Sequence, residues 1–472
     1  MTYDGIHNRK CGVKKNVRKY HHHHFGKNKK FTITDATKKK LLKLGCDSIN
    51  MRRQTVDNDN DCSTSGVDND NNVDINDFED EIVTYFEQKT TQANFECDEI
   101  HNRYANHCYD SNNVFKPDLF LSKINRINDE KKSLINFKDE NTREKKVLTL
   151  ARIDSDPFGK LNKGKYMNRC AIKNFNINYL LKNFVNRLLS LKKIIKYGDL
   201  CSAPGGFSEA ILDIASKVRK EKHDAPMVHS FAISLHDPNF QFSMDRLQSN
   251  KDWWNFHAIY ADIGDEVAKQ GYLTEIGGKY QLDFVLADGG FSVNFQEHKQ
   301  EYLTRKLYVA QSRLGLDSLK ESGTFVLKLF DIYLKFSVDL LHLLSFCFQQ
   351  IGIVKLHSSR PANSERYLFC LNYKNNHTTE VVSKHLKNVE LSLSNNTDHI
   401  SIDQSTMHDT QFVEWISQHI EQFNRNQLRS LLKLKTSCMN QTIFGVKNYK
   451  FPNKDKNNTI PKKWVHHLQK LN

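Results

Sequence analysis

Four charged side chains set in apolar or compact surroundings are where this sequence could do chemistry. Lys328 lies in Thr324-Phe-Val-Leu-Lys328-Leu-Phe-Asp331, a run that reads as a β-strand and is otherwise almost wholly apolar. An ammonium there is costly to bury unless it is paired or gives up its proton. Taken alone, Lys328 could equally be a structural partner of Asp331 or a side chain reaching past a sheet edge. Three further groups favour a shared polar site. Asp288 closes the apolar run Leu282-Asp-Phe-Val-Leu-Ala-Asp288, Lys173 ends Met167-Asn-Arg-Cys-Ala-Ile-Lys173, and Glu365 lies in Ser359-Arg-Pro-Ala-Asn-Ser-Glu365-Arg-Tyr367. A second ammonium and partial burial both lower a lysine's pKa, while a carboxylate orients it. A lysine that titrates near the working pH can act as a general base towards a hydroxyl.

These groups need a frame that brings distant segments together. Ile194–Leu200 reads as a short buried strand, followed by the small-residue loop Cys201-Ser-Ala-Pro-Gly-Gly-Phe-Ser208 and a helix-like run from Glu209 to Val218. Gly205 and Gly206 remove side chains where a backbone must pass something closely, and the helix behind them offers unpaired N–H groups. By itself this is also an ordinary βα turn. It lacks the Lys-Ser/Thr ending of a phosphate-binding loop. Six more apolar runs follow: Val228–Leu235, His257–Ala261, Leu282–Ala287, Thr324–Phe330, Ile353–His357 and Tyr367–Leu371. Helical patterns at 240–250, 297–320 and 336–350 separate several of them, and Tyr166–Leu189 has helical periodicity ahead of the first. Strand–helix alternation predicts an α/β fold with a doubly wound, mostly parallel sheet. Such sheets place their sites at the carboxyl ends of the strands. One domain over residues 116–375 accounts for the pattern.

The flanks differ in composition. Residues 1–45 carry thirteen Lys and Arg against Asp4 and Asp35, which explains most of the formal charge of +14 and the pI near 9.1. That balance points to a polyanionic partner, nucleic acid before membrane, and Lys38-Lys39-Lys40 reads as a nuclear-import or RNA-touching cluster. Residues 57–81 hold ten acidic residues and no basic one, so region 1–115 is expected to be largely disordered. Cys97, His101, His107 and Cys108 fit no common zinc spacing, and the His21–His24 tract lacks a second ligand set, so no metal is expected. The ten cysteines form no CxxC pair and suit a reducing compartment. No signal-peptide pattern or membrane-length apolar run is read. Beyond an Asn-, Ser- and Thr-rich stretch, Phe412, Trp415, Ile416, Ile420, Phe423, Leu428, Leu431 and Leu432 recur at helical spacing. Region 376–472 is therefore expected to be a helical extension, with a helix pair covering the sheet.

Lys173, Asp288, Lys328 and Glu365 resemble the Lys-Asp-Lys-Glu tetrad of FtsJ-like ribose 2′-O-methyltransferases. The segments 201–209, 287–293 and 359–367 are similar to the branch of that superfamily that acts on the first transcribed nucleotide of capped mRNA. The resemblance covers about 120–375 and weakens towards 435. It implies a Rossmann-like methyltransferase fold with S-adenosylmethionine as cofactor. Asn168, Cys201, Ser202, Ala203, Pro204, Gly205, Gly206, Phe207 and Ser208 would hold that cofactor, with Asp262 and Ile263 at the adenine end. Arg152, His298, Lys299, Gln300 and Asn363 would contact capped RNA, although the family has asparagine where His298 stands. Lys328 would be the base, and no metal is implied. The resemblance further implies capped mRNA as substrate, a nuclear location, the capping and transcription machinery as partner, no membrane, and a monomer. The alternatives are an FtsJ-like enzyme acting on ribosomal or transfer RNA and a catalytically inactive cap- or RNA-binding module.

Overall fold

The computed structural model describes residues 83–89, 109, 111–137, 144–156, 165–222, 225–248, 252–293, 296–394, 403 and 405–444. The basic and acidic segments before residue 82 and the Cys97–Cys108 cluster lie outside them. Six of the seven apolar runs fall largely on strands of one sheet, and the seventh, Ile353–His357, meets its strand only at Ile353 and Val354. The strands are β2 (Ile194–Leu200), β3 (Met227–Ser234), β4 (Trp254–Tyr260), β5 (Leu282–Ala287), β6 (Leu319–Leu329), β7 (Phe348–Val354) and β8 (Arg366–Tyr373). A two-residue β1 (Tyr85–Phe86) joins at one edge, giving the order β1-β7-β8-β6-β5-β2-β3-β4. β2 pairs in parallel with β3 and β5, β3 with β4, and β5 with β6. β8 runs antiparallel to both β6 and β7, so its first residues lie at the edge where the parallel strands end.

Helices cover both faces. On one lie α3 (Arg169–Leu180), α4 (Phe184–Leu191) and α5 (Gly206–Glu221), packed through Phe175, Phe184, Phe207 and Ile211. On the other lie α7 (Glu266–Ile276), α8 (Gln300–Ser318), α9 (Lys335–Cys347) and α10 (His377–Ser394). Successive strand residues face opposite sides. In β6, Phe325, Leu327 and Leu329 therefore join the second core while Val326 joins the first. Lys328 follows Val326 onto the α3–α5 face, where Lys173 waits.

Several elements depart from the sequence pattern. The helical run before β2 is two helices, because Lys182 and Asn183 both adopt left-handed conformations. The Asn178 carboxamide oxygen accepts from Val185 N at 2.9 Å and fixes that corner. The helix read at 240–250 is the single turn α6 (Met244–Leu247). α7 and α10 were not predicted. α7 carries Asp265 as N-cap and Gly277 just past its end, and α10 buries Val382, Leu386 and Val389 at helical spacing within its polar composition. In place of a helix pair there is one long α11 (Thr410–Phe444). It packs Leu431, Leu434 and Cys438 against Ile127 of α1 (Pro117–Ser133) and Leu148 and Ala151 of α2 (Glu144–Asp154). No helix among the described residues is long and apolar enough to cross a membrane.

Candidate active site

Register assembles the tetrad. Ala287 of β5 pairs with Leu327 of β6, and Lys328 pairs with Tyr367 of β8. Asp288 therefore leaves its strand beside Lys328, and Glu365 enters beside Tyr367. The Lys328 ammonium donates to the Asp288 carbonyl at 2.5 Å and lies 3.2 Å from its carboxylate. The same carboxylate accepts from the Tyr367 hydroxyl at 2.7 Å. Across from it, Lys173 on α3 donates to Glu365 at 2.7 Å, and the second Glu365 oxygen accepts from Ser359 Oγ at 2.6 Å. Lys173, Lys328 and Glu365 are all buried. The sequence-predicted tetrad is thus one cluster of two lysine–carboxylate pairs.

The two ends of the Lys173–Glu365 pair have a clear electrostatic character. Burial disfavours the Lys173 ammonium, but the carboxylates of Asp288 and Glu365 outweigh it and hold the pKa above its ordinary value. Burial likewise disfavours the Glu365 carboxylate, and Lys173 and Lys328 overturn that, holding it well below the usual range. Both groups stay charged across the physiological range. Gly290 leaves room for this arrangement, since a Cβ there would stand 3.1 Å from Lys328 Nζ.

The loop after β2 is half-buried from Cys201 to Pro204 and buried from Gly205 onwards. Its glycines answer to the protein's own packing. A Cβ on Gly206 would stand 2.2 Å from Asn168 Oδ1, and one on Gly205 would stand 2.5 Å from Leu247 Cδ1. Gly205 also has φ +106°, the left-handed region. Asn168 caps α3 by accepting from Cys170 N at 2.9 Å. Phe207 and Ser208 turn into the fold. Phe207 packs near Tyr367, and Ser208 donates to Asp199 at 2.6 Å. Any approach of a ligand to these two residues would be to their main chain.

Polar atoms without partners mark the same rim. Asp199 Oδ1 and Ser202 Oγ have none among the described residues. Burial and the nearby Asp288 push the Asp199 carboxyl up to about 7 against the Ser208 hydrogen bond. Beyond the ends of β3 and β4, Leu235 is 60% exposed, Phe240 59% and Tyr260 40%. Ile263 is buried beside them, and the exposed Asp262 accepts from Gly264 N at 2.8 Å. An apolar shelf with a carboxylate at its edge and unpaired oxygens at its inner end suits a planar heterocycle joined to a charged chain. These residues fit S-adenosylmethionine.

The residues expected to touch RNA come from several elements. Arg152 lies in the last turn of α2, His298 and Lys299 lie in a 3₁₀ turn (Glu297–Lys299), Gln300 opens α8, and Asn363 precedes Glu365 by two residues. Burial lowers the Arg152 pKa and neighbouring Arg360 lowers it further, against Glu297 and Cys438. His298 is likewise lowered by burial and by Lys132, Lys299 and Lys131. Cations of α1 and the 3₁₀ turn thus lie near one another, as do Arg152 of α2 and Arg360 of the loop that carries Glu365. Arg360, Lys132 and Tyr367 were not singled out from sequence. The pairing of Tyr367 with Lys328 became visible only with the sheet register.

Residues 166–373 match the family model described as FtsJ-like methyltransferase. The chain is 33% identical over 308 residues to cap-specific mRNA (nucleoside-2′-O-)-methyltransferase 1 of Drosophila melanogaster, which covers 62% of this chain and 35% of that protein. It is 29% identical over 338 residues to a Caenorhabditis briggsae protein named inactive cap-specific mRNA (nucleoside-2′-O-)-methyltransferase 1B, covering 63% and 38%. The chain therefore spans little more than a third of the length of these relatives. A solved ribosomal RNA methyltransferase of Plasmodium falciparum overlays with TM-score 0.32 at 18% identity, covering 44% of this chain and 98% of that one.

Proposed function

We propose that the chain transfers a methyl group to the ribose 2′-oxygen of the first transcribed nucleotide of capped mRNA, a reading supported by the match of residues 166–373 to the FtsJ-like methyltransferase model. The observation that carries this reading is the cluster of Lys173, Asp288, Lys328 and Glu365 at the carboxyl ends of the parallel strands. The names of its relatives supply the cap as substrate.

Lys328 is the residue proposed to take the 2′-hydroxyl proton. It lies at the end of β6, where Asp288 fixes its nitrogen through carbonyl and carboxylate, and it would take the proton as the neutral amine. Lys173 keeps its charge because Asp288 and Glu365 hold its pKa up, so it can stabilise negative charge as it develops on the 2′-oxygen. Tyr367 and Ser359 hold the two carboxylates from behind. Residues 201–205, Asp199, Asp262 and Ile263 would hold S-adenosylmethionine, which supplies an activated methyl when bound. Alignment of the ribose oxygen by a rigid tetrad is then worth on the order of several kcal/mol of barrier. Arg152, Arg360, His298, Lys299 and Asn363 would hold the phosphates and cap.

The proposed place of action is the nucleus, in keeping with the basic Lys38-Lys39-Lys40 cluster and the mRNA substrate, with the capping and transcription machinery as partner and the chain acting as a monomer. The test is mass spectrometry of nuclease digests after incubation with S-adenosylmethionine and one RNA sequence, capped or uncapped. A new methyl on the first ribose of the capped RNA is expected. Equal rates on both RNAs would sink the cap assignment in favour of another RNA 2′-O-methyltransferase. Absence of transfer to either would favour the inactive reading.

A further inference from the structure

One loop, residues 355–365, carries both a tetrad carboxylate and a residue expected to touch RNA, and its main chain is held by the side chains of Lys355 and Arg366. Lys355 leaves the end of β7 and turns its ammonium back under the loop. It donates to the Glu365 carbonyl at 3.0 Å and also to the Asn363 carbonyl. The intervening Ser364 carbonyl accepts from Arg366 at 2.9 Å, and Arg366 also binds Asp331 at 3.1 Å. Three consecutive carbonyls just before β8 thus each accept from a cationic side chain. The loop's outer part is pinned separately. Ser358 donates its N–H and hydroxyl to Asn176 at 3.1 and 2.8 Å, and its carbonyl accepts from Arg169 at 2.6 Å.

We infer that Lys355 is a positioning residue for the tetrad: by spanning the Asn363 and Glu365 carbonyls it sets the backbone from which Glu365 reaches Lys173. This rests on the methyltransferase reading of the same site. The side chain of Glu365 has only its own torsions to reach Lys173 at 2.7 Å and Ser359 at 2.6 Å. A carbonyl released at Glu365 would let the peptide rotate and move both contacts. Because alignment is where such a site finds its acceleration, an error of about 1 Å there costs on the order of 100-fold in rate.

The groups facing the Lys355 ammonium are Glu365, Arg366, Lys173 and Asp331. Burial lowers its pKa to about 7, the two carboxylates opposing and the two cations assisting. Either protonation state keeps at least two N–H donors, one for each carbonyl. The clamp therefore does not depend on the charge of Lys355, and it is lost only when the nitrogen is removed.

Lys355→Met keeps the length and apolar stem of the side chain and deletes both donors. Hydrogen-exchange mass spectrometry of the full chain should show faster exchange confined to amides of 359–366. With capped RNA, kcat should fall at least 10-fold while the KM for S-adenosylmethionine stays within about threefold. Should Lys355→Met fail to fold, Lys355→Gln, whose shorter amide reaches one carbonyl at most, carries the same two readouts. Unchanged exchange across 359–366, or a kcat within twofold of the parent, overturns the proposal. If the unmodified chain methylates no RNA, the functional reading fails, and the exchange measurement alone then decides whether Lys355 holds the loop.

Discussion

Gly290 and Lys328 face each other so closely that a methyl group on Gly290 would stand 3.1 Å from the lysine nitrogen and 3.2 Å from its Cε. The glycine is exposed and its φ is not in the left-handed region. Alanine is therefore compatible with the backbone there, and what must yield is the end of a flexible side chain. Gly290→Ala should leave the melting temperature within a few degrees while lowering the rate of methyl transfer 10-fold or more. Full activity would mean that the observed position of Lys328 is not the reactive one.

Lys328 itself gives a sharper outcome. Lys328→Ala should abolish methyl transfer to capped RNA, because the Lys328 nitrogen held beside Asp288 is the proposed base, acting as the neutral amine. Binding of S-adenosylmethionine, measured calorimetrically, should change less than about threefold. Retained turnover would remove Lys328 from that role.

Arg360 lies close enough to Arg152 to help burial lower the Arg152 pKa. A polyanion between them would relieve that repulsion. Arg152→Ala and Arg360→Ala should each raise the KM for capped RNA, and each should reduce the slope of log affinity against log salt by roughly one. An unchanged salt slope would show that neither arginine meets a phosphate.

The pH dependence of stability offers an independent check. Asp199 is fully buried, with its carboxyl pushed up to about 7. A carboxyl whose folded pKa lies above its unfolded value binds its proton more tightly in the native state. Its contribution to stability is complete below about pH 4, declines as pH rises towards 7, and is constant above that. The loss is on the order of a few kcal/mol. Asp199→Asn removes the titration, so the fall in urea midpoint between pH 5 and 8 should shrink. The slope that remains belongs partly to Glu301, whose buried carboxyl is likewise pushed up to about 7. Parallel pH profiles for parent and variant would refute the assignment.

Much of the site was legible in the sequence because its chemistry contradicts its surroundings. Lys328 and Asp288 stand out after the apolar runs Phe325–Leu327 and Phe284–Ala287, whereas β6 and β7 each begin five residues before their expected starts. Lys355 was invisible for the converse reason. A lysine just past a strand end looks like any solvated cation, and only the carbonyls of a loop eight to ten residues on make it a clamp. α10 was hidden by composition, since its buried Val382, Leu386 and Val389 sit among polar neighbours. The pairing of Tyr85 and Phe86 with Ile351 and Gly352 is a contact so distant in sequence that no local pattern announces it.

The reversal of β8 and the position of α11 have a consequence for the order in which this protein can be completed during synthesis. Lys173, Asp288 and Lys328 have all been made before Glu365, and strand β8 must then insert between β6 and β7 before the tetrad can close. The helices α1 and α2, made much earlier, find the other side of their small core only when Leu431, Leu434 and Cys438 arrive. A chain growing from the ribosome therefore carries Lys173, Asp288 and Lys328 some time before α2 can meet α11. Until α11 has docked, the apolar faces of α1 and α2 must be shielded by something other than their final partner.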